Sequence, residues 1–543
     1  MLKFLLLLVF TVGIHAKCYP SDDSCFPGAE DFKDLENRLS SSLVYPKNVV
    51  EWLGIGPASL HNGRLDTNHV PYVATFANTP DDVKEVMKFV SKFDLLFSVK
   101  STGHCYSGNC MSQDSFHLDL TKMKNISFDE ASYTITIEPG SNFDALYALN
   151  EKTGTQSVGG MCGTVGPVGF SLGGGHGPLI RSYGLGADQI VSVDMILSNG
   201  EPVTVTEESD RDLFWALRGG GGGTFGVVTS MTLKTYEAPK QLISYSCNYP
   251  LKTTSDETLG EELLGRWWSE IMPSLAKEWS FFSILLPQPI PTEMNIPEFD
   301  KKTMTGLASL EGLYNGADFS EAARALQNLV GLAPEHQMSC SFANHTSLKA
   351  WHDTRWFGKV PVKTRNYMAT SFAQQGFDGE KVAKIAIEAI INSENMMSSF
   401  FGIQTGGAVE EGSEGSAVSD TFRGSVMLLE TDANWITKMN DEKEINWTKG
   451  VGDDVHNLDD FKGAYVNEPD PQIEDFEDRF WGDKFEKLQE IKRRVDVSDT
   501  FWQWQGVYSK EKPTNPHVAT PSSSVFRPPV AISAFSRCGS HAE

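Results

Sequence analysis

A thiol and an imidazole, each set among glycines, are the side chains in this sequence best equipped for covalent chemistry. Cys162 opens the run Cys162-Gly163-Thr164-Val165-Gly166, and Ser101-Thr102-Gly103 leads into His104. Thiolate and imidazole are nucleophiles that add to electron-poor ring systems. Gly173, Gly174 and Gly175 follow the first run closely, and Gly219 to Gly223 form a second cluster. Two dense glycine clusters point to a backbone cradle for an extended anionic cofactor, because such turns offer N–H groups to a pyrophosphate without basic side chains. Farther on, Tyr465-Val466-Asn467-Glu468 supplies a phenol and a carboxylate. A carboxylate buried beside a cofactor can act as a general base.

The generic nucleotide motifs do not account for these clusters. Gly221, Gly223 and Gly226 fit G-x-G-x-x-G, but they follow a helix-like run, Leu213 to Leu217. A dinucleotide fingerprint requires a strand there. No glycine cluster is followed by Gly-Lys-Ser or Gly-Lys-Thr, which excludes a phosphate-binding loop of that type.

The elements that must carry these residues are legible in outline. Thr79-Pro80-Asp81-Asp82 starts a helix, with a capping hydroxyl, proline in the first turn and acids at the positive dipole end. Val83, Val86, Met87 and Val90 then repeat at helical spacing. Strand patterns follow at Leu95 to Val99, Phe116 to Leu120 and Tyr133 to Ile137. Ile190 to Leu197, the turn Asn199-Gly200 and Val203 to Thr206 read as a hairpin, and Val227 to Leu233 closes the region. The spacing predicts one α+β domain over residues 48–237. Residues 238–455 mix helical patterns (Glu321 to Val330, Glu380 to Ile391) with strand-like runs (Phe281 to Leu286, Ser425 to Leu429), as expected of a second domain over a large sheet. Gly406 to Gly415 reads as an exposed loop. Residues 456–510 form a distinct return segment. In it Phe485, Leu488 and Ile491 mark one helix face, and Trp502 and Trp504 sit in a strand-like run expected in the core. Residues 511–543 are a tail.

The chain has 543 residues with 46 Lys and Arg against 71 Asp and Glu, a net charge of −25. That balance repels phosphate backbones and anionic lipid, so neither nucleic acid nor a membrane is expected as a partner. Lys3, the apolar run Phe4 to Ile14 and the small Ala16 read as a signal peptide over residues 1–16. The run is too short to span a bilayer. Secretion fits three glycosylation acceptors, Asn125, Asn344 and Asn446. In an oxidising compartment, Cys18 and Cys25 in the N-terminal segment 17–47 are expected to form a local disulfide. Cys105 and Cys110 are a second possible pair. His104, Cys105, Cys110 and His117 lack the paired knuckles of zinc sites, so no metal is expected.

Taken together, these motifs resemble the berberine bridge enzyme-like group of FAD-linked oxidases, within the vanillyl-alcohol oxidase fold. The resemblance implies an α+β chain with a two-part FAD-binding domain and a substrate domain whose large antiparallel sheet is covered by helices. It implies bicovalent FAD, with His104 bonded to the flavin methyl on ring carbon 8 and Cys162 to ring carbon 6. It places Lys100, Ser101, Thr102, Gly103, Gly163, Thr164, Val165, Gly166, Gly173, Gly174, Gly175, Val227 and Asn467 around the cofactor. Lys100 stands where the family often has arginine and is a weaker fork for a pyrophosphate. Phe170 replaces a histidine common in plant members, and Pro167-Val168 interrupts the usual Val-Gly. Val165 matches the residue that accompanies oxygen reactivity. Glu468 replaces a tyrosine that can serve as base, so Glu468 and Tyr465 are the catalytic candidates, with Tyr367 a further guess. The implied activity is a secreted oxidase of a CH–OH group in a small alcohol, sugar or secondary metabolite, with oxygen as acceptor. The alternatives are a dehydrogenase with another acceptor and a low-turnover flavin-binding protein.

Overall fold

The computed structural model describes residues 17–46, 70–288, 299–318, 339–354 and 364–512, less positions 23, 413 and 511, and a few residues between 320 and 331. The signal-peptide reading, most of the 511–543 tail and most of the Glu321 to Val330 pattern lie outside these residues.

The N-terminal half holds two sheets. Strands Val73–Phe76, Phe116–Asp119 and Phe97–Lys100 pair in parallel, with Phe116–Asp119 in the middle. Helix Pro80–Phe93 makes the crossover. Its start is a reciprocal capping box: Thr79 Oγ1 accepts from the Asp82 N–H, and Asp82 accepts from the Thr79 N–H. Its buried face includes Val83, Val86, Met87 and Val90, the residues at helical spacing. The second sheet is antiparallel, in the order Ile126–Asp129, Thr134–Ile137, Val227–Lys234, Ile190–Ile196 and Pro202–Val205. The last two strands form a hairpin whose turn uses Gly200 at φ 81°.

The other large element is an eight-stranded antiparallel sheet. Its order is Ser339–His345, Leu242–Thr253, Met304–Tyr314, Trp279–Leu286, Ser398–Gln404, Ser425–Trp435, Arg365–Gln374 and Phe461–Lys462. Side chains alternate between its two faces. Phe281, Leu285, Phe400, Met427 and Leu429 pack under helices Leu259–Arg266, Gly379–Ile391 and Asp441–His456. Phe282, Ile284, Phe401, Ile403 and Met368 point to the opposite face, toward the glycine-rich half.

Two buried guanidinium groups join the halves. Arg181 donates to the carbonyls of Trp279, Thr405 and Leu275 at 2.8, 2.5 and 2.8 Å. Burial pulls its pKa down to about 10. Arg423 grips both carboxylate oxygens of Asp188 at 2.7 Å each.

Three sequence expectations need correction. Gly406 to Gly415 is not simply an exposed loop, because the turn Gly407–Gly412 buries Ala408 and Val409. The segment around Trp502 and Trp504 pairs with no strand; the Trp504 indole N–H instead donates to the Pro471 carbonyl at 2.8 Å. Cys105 and Cys110 are free thiols. Cys18–Cys25 is a disulfide, and a second bond, Cys247–Cys340, joins the first two strands of the large sheet. The three acceptor asparagines are exposed.

Candidate active site

A cavity of about 1450 Å³ lies between the glycine-rich half and the free face of the eight-stranded sheet. His104 and Cys162 meet at one end. Thr164 Oγ1 is 2.6 Å from His104 Nε2 and 3.3 Å from Cys162 Sγ, so one hydroxyl ties both nucleophiles together. The turn carrying Cys162 is docked on the first turn of helix Phe143–Thr153. There the Phe143 and Asp144 N–H groups donate to the Val165 and Gly163 carbonyls at 3.0 and 2.9 Å. These are two of the donors a helix start leaves unsatisfied.

The second glycine cluster forms part of the wall. Its carbonyls are held by the C-terminal return: Trp481 Nε1 donates to Gly219, Gln503 Nε2 to Gly222 and the buried Lys492 ammonium to Thr224, at 3.0, 3.1 and 2.7 Å. Gly221 and Gly223 have φ of 94° and 69°, where a side chain would strain the turn. A Cβ on Gly222 would meet no atom closer than 3.9 Å, and one on Gly169 none within 4 Å. Both residues line the cavity.

Carboxyl groups dominate the opposite wall. Glu468 places its two oxygens 3.1 and 3.2 Å from His176 Nε2. Glu430 and Asp432 reach the same cavity from alternate positions of the Ser425–Trp435 strand. Glu430 is 7% exposed. Burial, then the charges of Glu468 and Asp432, hold its carboxyl well above the ordinary range. Burial also pushes Asp432 up to about 7, although Asn366 and Asn434 donate to it. Tyr106 lies close enough for burial, then Glu468 and Glu430, to raise its phenol.

Ser101, Thr102, Gly103, Thr164, Val165, Gly166, Val227, Tyr465, Asn467 and Glu468 all line the cavity with His104 and Cys162. Five expected cofactor contacts do not. Lys100 is fully buried with its ammonium 2.9 Å from Asp119, so the strand core takes the charge meant for a pyrophosphate. Gly163 is a close-approach position, where a Cβ would lie 2.0 Å from the Asp144 carboxylate. Gly173, Gly174 and Gly175 pack against Asn467, Tyr465 and Phe170. Tyr465 is 2% exposed, and its hydroxyl accepts from the Gly175 N–H and Asn467 Nδ2 at 2.8 and 2.9 Å. That places it as a clamp on the first glycine cluster. Tyr367 alternates with the cavity residues Asn366 and Met368, so it points away, and its hydroxyl donates to Asp470.

Sequence reasoning missed His176, Glu430 and Asp432. His176 stands inside a quoted glycine run, and two acids one residue apart in an apolar strand were the available signal.

Comparison with known proteins is consistent with this geometry. Residues 71–206 match the family described as FAD binding domain, and residues 464–508 match berberine and berberine like. The chain is an FAD-linked oxidoreductase that carries an FAD binding domain and a berberine-like domain. It is 26% identical to the FAD-linked oxidoreductase ZEB1 of Gibberella zeae, over 94% of this chain and 95% of that protein. It is also 26% identical to the xylooligosaccharide oxidase of Thermothelomyces thermophilus, over 86% and 92%. The fold is that of the xylooligosaccharide oxidase from Myceliophthora thermophila C1 solved with xylobiose (TM-score 0.72, 24% identity, 89% of this chain and 99% of that one).

The residues of this oxidoreductase fit an FAD. The glycine wall leaves space where side chains would otherwise project, and nucleophiles and hydroxyls line the same cavity. Among the described residues, no cluster of three or more metal-ligating groups competes for the site.

Proposed function

We propose that this protein is a secreted FAD-dependent oxidase of a CH–OH group in a neutral small molecule, a sugar or small alcohol, with oxygen as acceptor. His104 and Cys162 hold the cofactor covalently. When bound, FAD supplies hydride acceptance and electron transfer to oxygen, which yields hydrogen peroxide. The chain's residues do the rest. Glu468 takes the proton of the substrate hydroxyl, and His176 fixes the orientation of its carboxylate. Tyr465 and Asn467 keep the first glycine cluster against the return segment. The sheet face provides an apolar floor with polar groups at Asn366, Ser399, Glu430 and Asp432. Such a floor suits a molecule with several hydroxyls and opposes anionic ones.

The observation that carries this reading is the shared cavity, with two nucleophiles on Thr164 at one end and the Glu468–His176 pair on the other wall. Support for a sugar comes from the xylooligosaccharide oxidase relative. Support for secretion comes from the N-terminal sequence pattern and the two disulfides.

The test is acid denaturation of the purified protein, followed by its spectrum and mass. Flavin is expected to stay with the polypeptide, with one attachment lost in His104→Ala and the other in Cys162→Ala. All flavin in the supernatant would defeat the covalent reading. Peroxide release on a panel of alcohols and oligosaccharides then tests the reaction.

A further inference from the structure

Two thiols beside His104 play no part in the reaction above. Cys105 and Cys110 both line the cavity and are half-buried. The Cys110 N–H donates to Cys105 Sγ at 2.9 Å. The Cys110 thiol, the Gly108 backbone and the Ser107 hydroxyl all favour the charged form of the same sulfur. One short loop thus turns a backbone N–H and the polar groups around it toward a single sulfur. That is the environment that stabilises a thiolate, and it draws the Cys105 thiol below its ordinary value, with the Cys110 side chain the largest cause. Cys110 moves the opposite way and keeps its proton. A thiolate in contact with a protonated second thiol is the arrangement of a peroxide-reactive cysteine with its resolving partner.

We propose that Cys105 and Cys110 are a modification site at which hydrogen peroxide closes a disulfide across the loop that carries His104. The Cys105 thiolate attacks one peroxide oxygen; the O–O bond breaks, hydroxide leaves and Cys105 becomes a sulfenic acid. The Cys110 sulfur then displaces hydroxide from Cys105, and the S–S bond forms. The two hydroxides take up the proton of Cys110 and one from solvent. In sum, a thiolate, a thiol, one peroxide and one proton give a disulfide and two waters, and two electrons pass from sulfur to oxygen. Turnover as the source of peroxide rests on the oxidase reading, whereas the reactivity of the pair does not. Closure makes a ring containing Tyr106 and Asn109. Tyr106 faces the carboxyl wall, and Asn109 Nδ2 donates to the Trp504 carbonyl at 2.7 Å. The cross-link thus fixes a strip of wall between the nucleophile end and the return segment.

The experiment uses the full flavin-loaded chain, reduced with dithiothreitol and desalted without oxygen. One equivalent of hydrogen peroxide is added, free thiols are alkylated, and the tryptic fragment carrying Ser101 to Lys122, with any flavin-linked peptide still attached to His104, is weighed without reduction against an untreated sample. The expected result is loss of two hydrogens and no alkylation. Cys110→Ser should instead stop at a Cys105 sulfenic acid trapped by dimedone. Two alkylated cysteines after peroxide, or dimedone labelling of Cys110 in Cys105→Ser at the rate of Cys105, would overturn the proposal. A parallel sample receives substrate and oxygen instead of peroxide. Cross-linking with added peroxide alone keeps the site and counts against the oxidase reading.

Discussion

Both carboxylate oxygens of Glu468 face a single nitrogen of His176, at 3.1 and 3.2 Å, across 292 residues of sequence. The imidazole therefore holds the carboxylate in one plane while Glu468 remains on the cavity wall. If Glu468 is the base, Glu468→Gln should slow anaerobic, substrate-driven bleaching of the flavin by about 10²–10⁴-fold. Stopped-flow absorbance measures this directly, and an unchanged rate would remove Glu468 from the mechanism. His176→Ala should give a smaller loss, because it frees the carboxylate without removing it.

Glu430 ties pH to stability. Its folded pKa is raised by burial first, then by Glu468 and Asp432, so the native state holds a proton that the unfolded chain releases near the ordinary value of 4.5. Stability from this group is highest below 4.5 and is lost as pH rises above it. Glu430→Gln should therefore raise the melting temperature at pH 8 and leave it unchanged at pH 4. Equal shifts at both pH values would contradict the assignment.

The glycine wall can be tested without touching chemistry. Gly222 has room for a Cβ on the cavity side. Gly222→Leu should fold, with wild-type circular dichroism, and lose most of its flavin absorbance. Full flavin content in that variant would place the cofactor elsewhere.

The Cys247–Cys340 bond closes a loop with a sequence separation of 93 between the two outermost strands at one edge of the large sheet. Loop-closure entropy assigns about 4–5 kcal/mol to a cross-link of that length. The double variant Cys247→Ala, Cys340→Ala should lower the denaturant midpoint accordingly. A shift below about 1 kcal/mol would mean that the sheet edge is held by its ladder alone.

The local elements were legible because their signals are local. The capping box at Thr79 and Asp82, the helix face Val83 to Val90 and the Asn199-Gly200 hairpin each lie within one short window. The nucleophiles His104 and Cys162 were legible from the glycines around them. What could not be read depended on distant partners. The pairing of Lys100 with Asp119, of His176 with Glu468 and of Cys247 with Cys340 exists only once strands are in register. Tyr367 was misplaced for a similar reason. A strand's pleat sends neighbours to opposite faces, and the sequence alone did not say which face bounded the cavity.

The guanidinium of Arg181, seated among carbonyls of Trp279, Thr405 and Leu275, acts as a rivet between the two walls. Pulling the walls apart would strand a desolvated cation and three acceptors at once. A clamshell motion is thus costly for this molecule. Passage of substrate and product is therefore expected to rely on side-chain movements around the cavity and not on the walls parting.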